Sequence, residues 1–207
     1  MTAPTHPTST QPEQSVNTMR MLIDLPNLNG HLRDMGWTRS RDERLDFINL
    51  AATMSARAAG FDALDITVFM QVERNQPQVA GFVTMLRHAG IGVYARPVGD
   101  IDDNIVAAVE ADPAIAALWI STHDVELIGR CTTAASNDTL VNVTGFEECS
   151  LHAIRSDRTT FVDLGDLGGF IPASVPRDPI SRLPDHGTLF PPHQILRPAP
   201  SASPLAA

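Results

Sequence analysis

Residues Ile115–Asp124 read I-A-A-L-W-I-S-T-H-D, the most strongly apolar strand of the chain, then a short polar break and an acid. Upstream, Asp103–Ala111 reads as a short helix ended near Pro113, and Ile91–Arg96 as a strand. Before these, residues 77–89 place Val79, Phe82, Val83 and Leu86 on one helical face, with Gly90 as the stop. Residues 64–71 are apolar and β-branched, a further strand, and residues 42–59 carry Phe47, Leu50, Ala51, Met54 and Ala58 at helical spacing up to Gly60. Arg20–Asp24 (R-M-L-I-D) is a buried strand, and Pro26, Asn27 and Gly30 predict a loop after it. Downstream, residues 124–136 read as a helix with Val125, Ile128, Cys131 and Ala135 periodic. Thr139–Thr144 is a strand, Leu151–Ser156 a helix, and Thr160–Asp163 a short last strand. Strands alternating with helices predict an α/β class fold with a parallel sheet covered on both faces.

The 207 residues suit one domain with tails. Residues 1–18 are rich in Thr, Pro and Gln, with no basic-then-apolar pattern, and predict a disordered leader instead of a signal peptide. The domain is expected over 19–166 and a tail over 167–207. Nine prolines between Phe170 and Ala207 predict an extended or disordered segment, in which Leu189–Phe190 and Ile195–Leu196 would suit docking. No apolar run reaches the roughly 18 residues of a membrane span. Cys131 and Cys149 have neither metal spacing nor a disulfide framework, which fits a reducing, cytoplasmic location.

Net charge is −9, and it is unevenly spread. Residues 20–96 hold nine Arg against eight acids, whereas residues 97–207 hold six Arg against fifteen. Such a chain is a poor nonspecific binder of nucleic acid, so any RNA contact needs a local basic face. Arg33, Arg39, Arg41 and Arg44 are its candidates, against the plainer reading of a solvated helix surface. There is no lysine, so every such contact would be a guanidinium.

The acids fall where a doubly wound sheet binds ligands, beyond the carboxyl ends of its strands. Asp24 ends the first strand, Asp100, Asp102 and Asp103 follow the third, and Asp124 and Glu126 follow the fourth. If the first and fourth strands are neighbours, Asp24 and Asp124 face each other across the crevice, with Asp102 carried over the same rim. Carboxylates brought together raise each other's pKa unless a cation joins them. Oxygen-only ligands select Mg²⁺ or Mn²⁺, ions that activate water and steady a phosphodiester under cleavage. Each acid also has a plainer reading. Asp102 could be a helix N-cap, Asp100 a turn residue, and Thr122 or Asp124 the cap of the next helix. Asn27 could be a turn residue and His123 a loop residue. No G-x-G-x-x-G follows the first strand and no P-loop pattern occurs, which argues against a nucleotide-cofactor fold.

An ordered set of motifs resembles the NYN domain family of PIN-like nucleases, in its LabA-like bacterial branch. Ile23–Leu28 (I-D-L-P-N-L) resembles the opening I-D-G-x-N-L, and Gly99–Ile105 (G-D-I-D-D-N-I) resembles K-G-V-D-V-x-L. Ser121–Leu127 (S-T-H-D-V-E-L) resembles V-S-G-D-S-D-F. Val143–Phe146, Ser150–Ile154 and Phe161–Leu164 follow in the family's order. The resemblance covers about 145 residues. It implies a three-layer Rossmann-like PIN fold with a sheet of about five strands in order 3-2-1-4-5. It also implies an Mg²⁺- or Mn²⁺-dependent acidic site and hydrolysis of RNA. Carried over, Asp24, Asp102, Asp124 and Glu126 would form the catalytic metal cluster. Asn27 would orient the first loop, and Thr122 would supply a hydroxyl. The chain departs from the pattern at Glu126 (usually Asp), Leu127 (Phe), His123 (Gly), Leu25 (Gly) and Ala108 (an acid). The substituted S-T-H-D-V-E-L motif, the acidic balance and the Pro-rich tail favour the alternative expectation, an NYN-fold regulatory module, weak or inactive as a catalyst, acting through a protein partner of the tail. A homodimer is left open.

Overall fold

A run of apolar residues, Met19, Met21, Leu22 and Ile23, lies fully inside the molecule as the central strand β1 (Thr18–Asp24). The computed structural model describes residues 17–34, 43–72, 76–112, 115–146, 158–167, 170–172, 188–192 and 194–196. After β1 come α1 (Leu25–Asp34), β2 (Glu43–Leu45), α2 (Phe47–Arg57), β3 (Ala63–Gln71), α3 (Pro77–His88) and β4 (Gly92–Arg96). Then follow α4 (Asp102–Glu110), β5 (Ile115–Ser121), α5 (Val125–Ala134), β6 (Leu140–Gly145) and β7 (Thr159–Asp163). A 3-10 turn (Leu164–Leu167) and two short strands, β8 (Phe170–Pro172) and β9 (Thr188–Phe190), complete the described chain. The helix expected at Leu151–Ser156 lies outside the described residues.

The main sheet has the order β7-β6-β5-β1-β3-β4-β9. Its first six strands are all parallel, so the expected order 3-2-1-4-5 is present with β7 added as a sixth strand beside β6. Alternation along β1 sends Met19, Met21 and Ile23 into one core layer with Leu28 of α1, Phe47 and Met54 of α2, and Leu86 of α3. Leu22 points the other way, into a second layer with Ile105 and Val109 of α4 and Leu127 and Cys131 of α5. The helices therefore change face between β1 and β5, the point at which an open α/β sheet has its ligand crevice, beyond the carboxyl ends of the strands.

The loop expected after Asp24 is instead helix α1. Pro26 is tolerated because it stands in the first turn, where its missing N–H has no intrahelical partner. Asp24 takes the part of an N-cap, its Oδ1 accepting the Asn27 N–H at 3.2 Å. Asp46 caps α2 in the same way, accepting the Asn49 N–H at 2.9 Å.

Two short segments of the tail are extended and paired. β8 lies antiparallel to β2, and β9 lies antiparallel to β4, covering that edge of the sheet. Arg87 Nε donates to the Pro191 carbonyl at 2.6 Å, and Gln194 Nε2 to the His88 carbonyl at 3.0 Å. Leu196 then packs on the core over Gly90, which has φ +80° and where a Cβ would stand 2.6 Å from Leu196 Cδ2. The two apolar pairs in the tail that suited docking thus lie in a segment lodged on this chain's own domain. No helix among the described residues is long and apolar enough to cross a membrane.

Candidate active site

β1 and β5 pair in register from Met19↔Ala117 to Ile23↔Ser121, which brings the start of α1 and the loop after β5 side by side. Thr122, fully buried, joins them. Its Oγ1 donates to Asp24 Oδ2 at 2.9 Å and accepts the Asp124 N–H at 3.2 Å. Asn27 makes a second link, its Oδ1 accepting the His123 N–H at 2.8 Å. Both supporting residues therefore act on the positions of the acids.

Asp124 caps α5. Its Oδ1 accepts the Glu126 and Leu127 N–H groups at 2.8 and 3.0 Å, which leaves Oδ2 for anything held in the crevice. The capping reading and the site reading of Asp124 are thus compatible. Asp102 is different. It is the first residue of α4, and the residue at the cap position, Ile101, makes no side-chain capping bond. Asp100 is the turn residue, its Oδ1 accepting the Asp102 N–H at 3.0 Å.

The loop carrying these two acids is clamped from behind. Gln71 Nε2 donates to the Gly99 carbonyl at 2.6 Å, and Arg96 Nη1 to the Asp100 carbonyl at 2.6 Å and to Asn104 Oδ1 at 3.2 Å. Gly99, at φ +93°, lies so close to the Arg96 guanidinium that a Cβ would stand 2.9 Å from Nη2. At the far end of α4, Arg20 donates to the Ala108 carbonyl at 2.9 Å and pairs with Asp65 at 2.8 Å and Asp112 at 3.1 Å.

The charges feel one another. Burial pushes the Asp24 carboxyl up, against the lowering effect of the bonds from Asn27 and Thr122, and the charges of Asp124 and Asp100 push it further. Asp102 is raised to about 6, first by burial and then by Asp100, Asp24 and Asp124. Three strand ends therefore contribute to one negative field. Glu126 is not brought into it: exposed on the first turn of α5, it acts with Asp103 and Asp102 on Arg130.

No family model matches the chain, and no curated protein matches it. Among solved structures it is similar to a protein of unknown function from Vibrio parahaemolyticus. That match has a TM-score of 0.57 at 17% identity, over 79% of this chain and 100% of the other. The fold is Rossmann-like, in three layers. At that identity the likeness is one of fold alone.

The donor set suits a hard divalent cation. It consists of oxygens only, and the part of the Asp24 and Asp102 shifts that comes from neighbouring carboxylates is the cost that a cation would remove. Among the described residues no three acid, His or Cys side chains stand together as a ready-made ligand cage. That arrangement is less a difficulty for Mg²⁺ than for Zn²⁺, since Mg²⁺ keeps several waters and takes only one or two carboxylates.

The basic face is only partly in view. Arg39 and Arg41 lie outside the described residues; Arg33 belongs to α1 and Arg44 to β2, with side chains outside the description. Sequence reasoning missed Gln71 and Arg20, whose contacts span 28 and 88 positions, and Arg96, whose bonds to Asp100 and Asn104 are nearer in sequence but follow no pattern. It also assigned His123 to the loop alone. The ring is buried, stacks on Phe146 with centroids 5.4 Å apart and lies 4.4 Å from the His31 ring. Its Nε2 accepts the Phe146 N–H at 3.0 Å. Burial and His31 lower its pKa to about 4, so the ring is neutral, with its proton on Nδ1.

Proposed function

We propose that this chain is a ribonuclease of the NYN type, hydrolysing RNA phosphodiester bonds with the help of Mg²⁺ or Mn²⁺. The observation that carries the reading is the shared field of Asp24, Asp102 and Asp124, drawn from three strand ends to the crevice between β1 and β5. Asp24, Asp102 and Asp124 would hold the metal between them, one or two directly and the rest through its waters, with Asp100 beside them and Glu126 at the outer rim. A bound divalent cation would balance these carboxylates and the charge on a phosphodiester under attack.

The chain's own part is positioning. Thr122 fixes Asp24 and the start of α5 together, Asn27 holds the two loops in register, and the Gln71 and Arg96 clamp sets the loop bearing Asp100 and Asp102. A preset array of this kind contributes to rate because its groups need not reorganise during reaction. RNA would approach over α1 and β2, where Arg33 and Arg44 lie on either side of Arg39 and Arg41 in sequence. The reading goes with a cytoplasmic location.

A second reading, a regulatory module acting through a protein partner, is favoured by one observation: Glu126 stands outside the shared field. The test is cleavage of RNA by wild type, Asp24→Asn and Asp124→Asn. Asn caps a helix as well as Asp does, and the Thr122 hydroxyl can turn to suit an amide in place of the Asp24 carboxylate, so both variants should fold. Metal-dependent cleavage lost in both supports the nuclease. Cleavage retained in both contradicts it.

A further inference from the structure

A cavity of about 250 Å³ opens at the same carboxyl end of the sheet, on the opposite face of β1 from the acids. Leu25, the residue after Asp24, lines it together with Met70 at the end of β3. The two sites therefore flank one strand end, and adjacent Cα atoms along the chain are only about 3.8 Å apart. Phe47 and Phe82, set edge to face with centroids 5.7 Å apart, form part of its wall. Three amide side chains, Asn29, Gln76 and Gln78, come to it from α1 and from the start of α3. No charged side chain lines it among the described residues.

We infer that this cavity is a nucleobase subsite. Its volume is below the roughly 300–1,000 Å³ of pockets for drug-sized ligands, so it has room for one ring system. Among the described residues the lining is uncharged, so it offers a phosphate or carboxylate no counter-charge in return for desolvation. It suits a flat neutral ring that packs against aromatic side chains. Carboxamides carry a donor and an acceptor side by side, the pattern that matches the edge of a base. The choice of a nucleobase over another neutral heterocycle rests on the nuclease reading. On that reading, a base unstacked from single-stranded RNA enters here while its neighbouring phosphate lies over the acids. Sequence preference at one position would follow.

The test is equilibrium dialysis of the full chain, in EDTA, against each of the four ribonucleosides and against ribose 5-phosphate. At least one nucleoside should bind and ribose 5-phosphate should not. Gln78→Ala, an exposed change on the first turn of α3, should weaken that binding about fivefold, the effect of one hydrogen bond. Val79→Phe, which fills the cavity, should abolish it, and Asp24→Asn should leave it unchanged. The outcome is separable from cleavage: nucleoside binding in a protein that does not cut RNA keeps the subsite and removes the nuclease. Cleavage without binding of any nucleoside overturns the subsite alone. Binding that ignores Gln78→Ala, or that is lost with Asp24→Asn, also overturns it.

Discussion

Thr122 Oγ1 lies 2.9 Å from Asp24 Oδ2, although 98 positions separate the two residues in the chain. The same hydroxyl accepts the Asp124 N–H, so one buried side chain sets the spacing of two acids from different strands. Thr122→Val keeps the shape and removes the polar atom. It should cost about 1–3 kcal/mol of stability by leaving buried groups unpaired. RNA cleavage should fall by more than tenfold, and Thr122→Ser should restore most of it. Wild-type cleavage by a folded Thr122→Val protein would show that this spacing has no catalytic role.

Asp102 is held at about 6 against an ordinary 3.8. The fold thus binds its proton more readily than the unfolded chain does. Its contribution to stability is therefore lost as pH rises from 3.8 through about 6. Asp102→Asn should accordingly raise the Tm in EDTA at neutral pH, by about 2–4 °C if the relief is ~1 kcal/mol. Near pH 3.8 the gain should vanish. Added Mn²⁺ should stabilise wild type at neutral pH and the variant much less. Thermal scans at the two pH values, with and without Mn²⁺, check all three outcomes. A lower Tm for the variant at neutral pH would contradict the shared field.

His123 titrates in the opposite sense. Its pKa falls from 6.5 to about 4, so the unfolded chain takes up the proton first and the fold loses stability as pH drops across that window. His123→Gln gives up the ring stack and the bond from Phe146, and should be less stable than wild type at neutral pH by about 1–3 kcal/mol. That deficit should shrink steadily between pH 6.5 and 4. A deficit independent of pH would mean that burial does not lower the His123 pKa, and one that grows on acidification would mean that the ring is charged in the fold.

β9 and the residues after it protect the edge strand β4. A chain ended at residue 187 should melt several degrees lower and associate in a concentration-dependent way, because an unpaired edge recruits other strands. The acids gather between β1 and β5, two strands from β4, and the loop bearing Asp102 is held by Gln71 and Arg96 instead of β9, so nuclease activity per folded molecule should be unchanged. Sedimentation velocity and a cleavage assay on the monomer fraction distinguish these effects.

The six parallel strands were legible because each is a short apolar or β-branched run bounded by polar or turn residues, as at Ile115–Ser121 before Thr122. Their carboxyl ends then located Asp24, Asp102 and Asp124 without knowledge of any contact. By contrast β2, read as part of a helix over 42–59, and β8 and β9, in the Pro-rich tail, were hidden. Helix α1 was not legible. Pro26 and Gly30 read as a loop, and what permits the helix is the cap from Asp24, a residue already assigned to the strand. The clamp of Gln71 on Gly99 was equally hidden, since β3 meets that loop only after the sheet has formed, and the bond from Arg96 to the Asp100 carbonyl, four residues on, follows no sequence pattern. Glu126 shows the converse limit: a motif position resembled the family's, while the helical turn carries its side chain outward.

The most direct test is cleavage of labelled single-stranded RNA by the full chain with Mn²⁺, Mg²⁺ or EDTA, comparing wild type with Asp124→Asn. The proposed site predicts cleavage with either metal, none in EDTA, and loss of activity in a variant that melts like wild type. RNA left intact by folded wild type with either metal, or cut equally by Asp124→Asn, would contradict it.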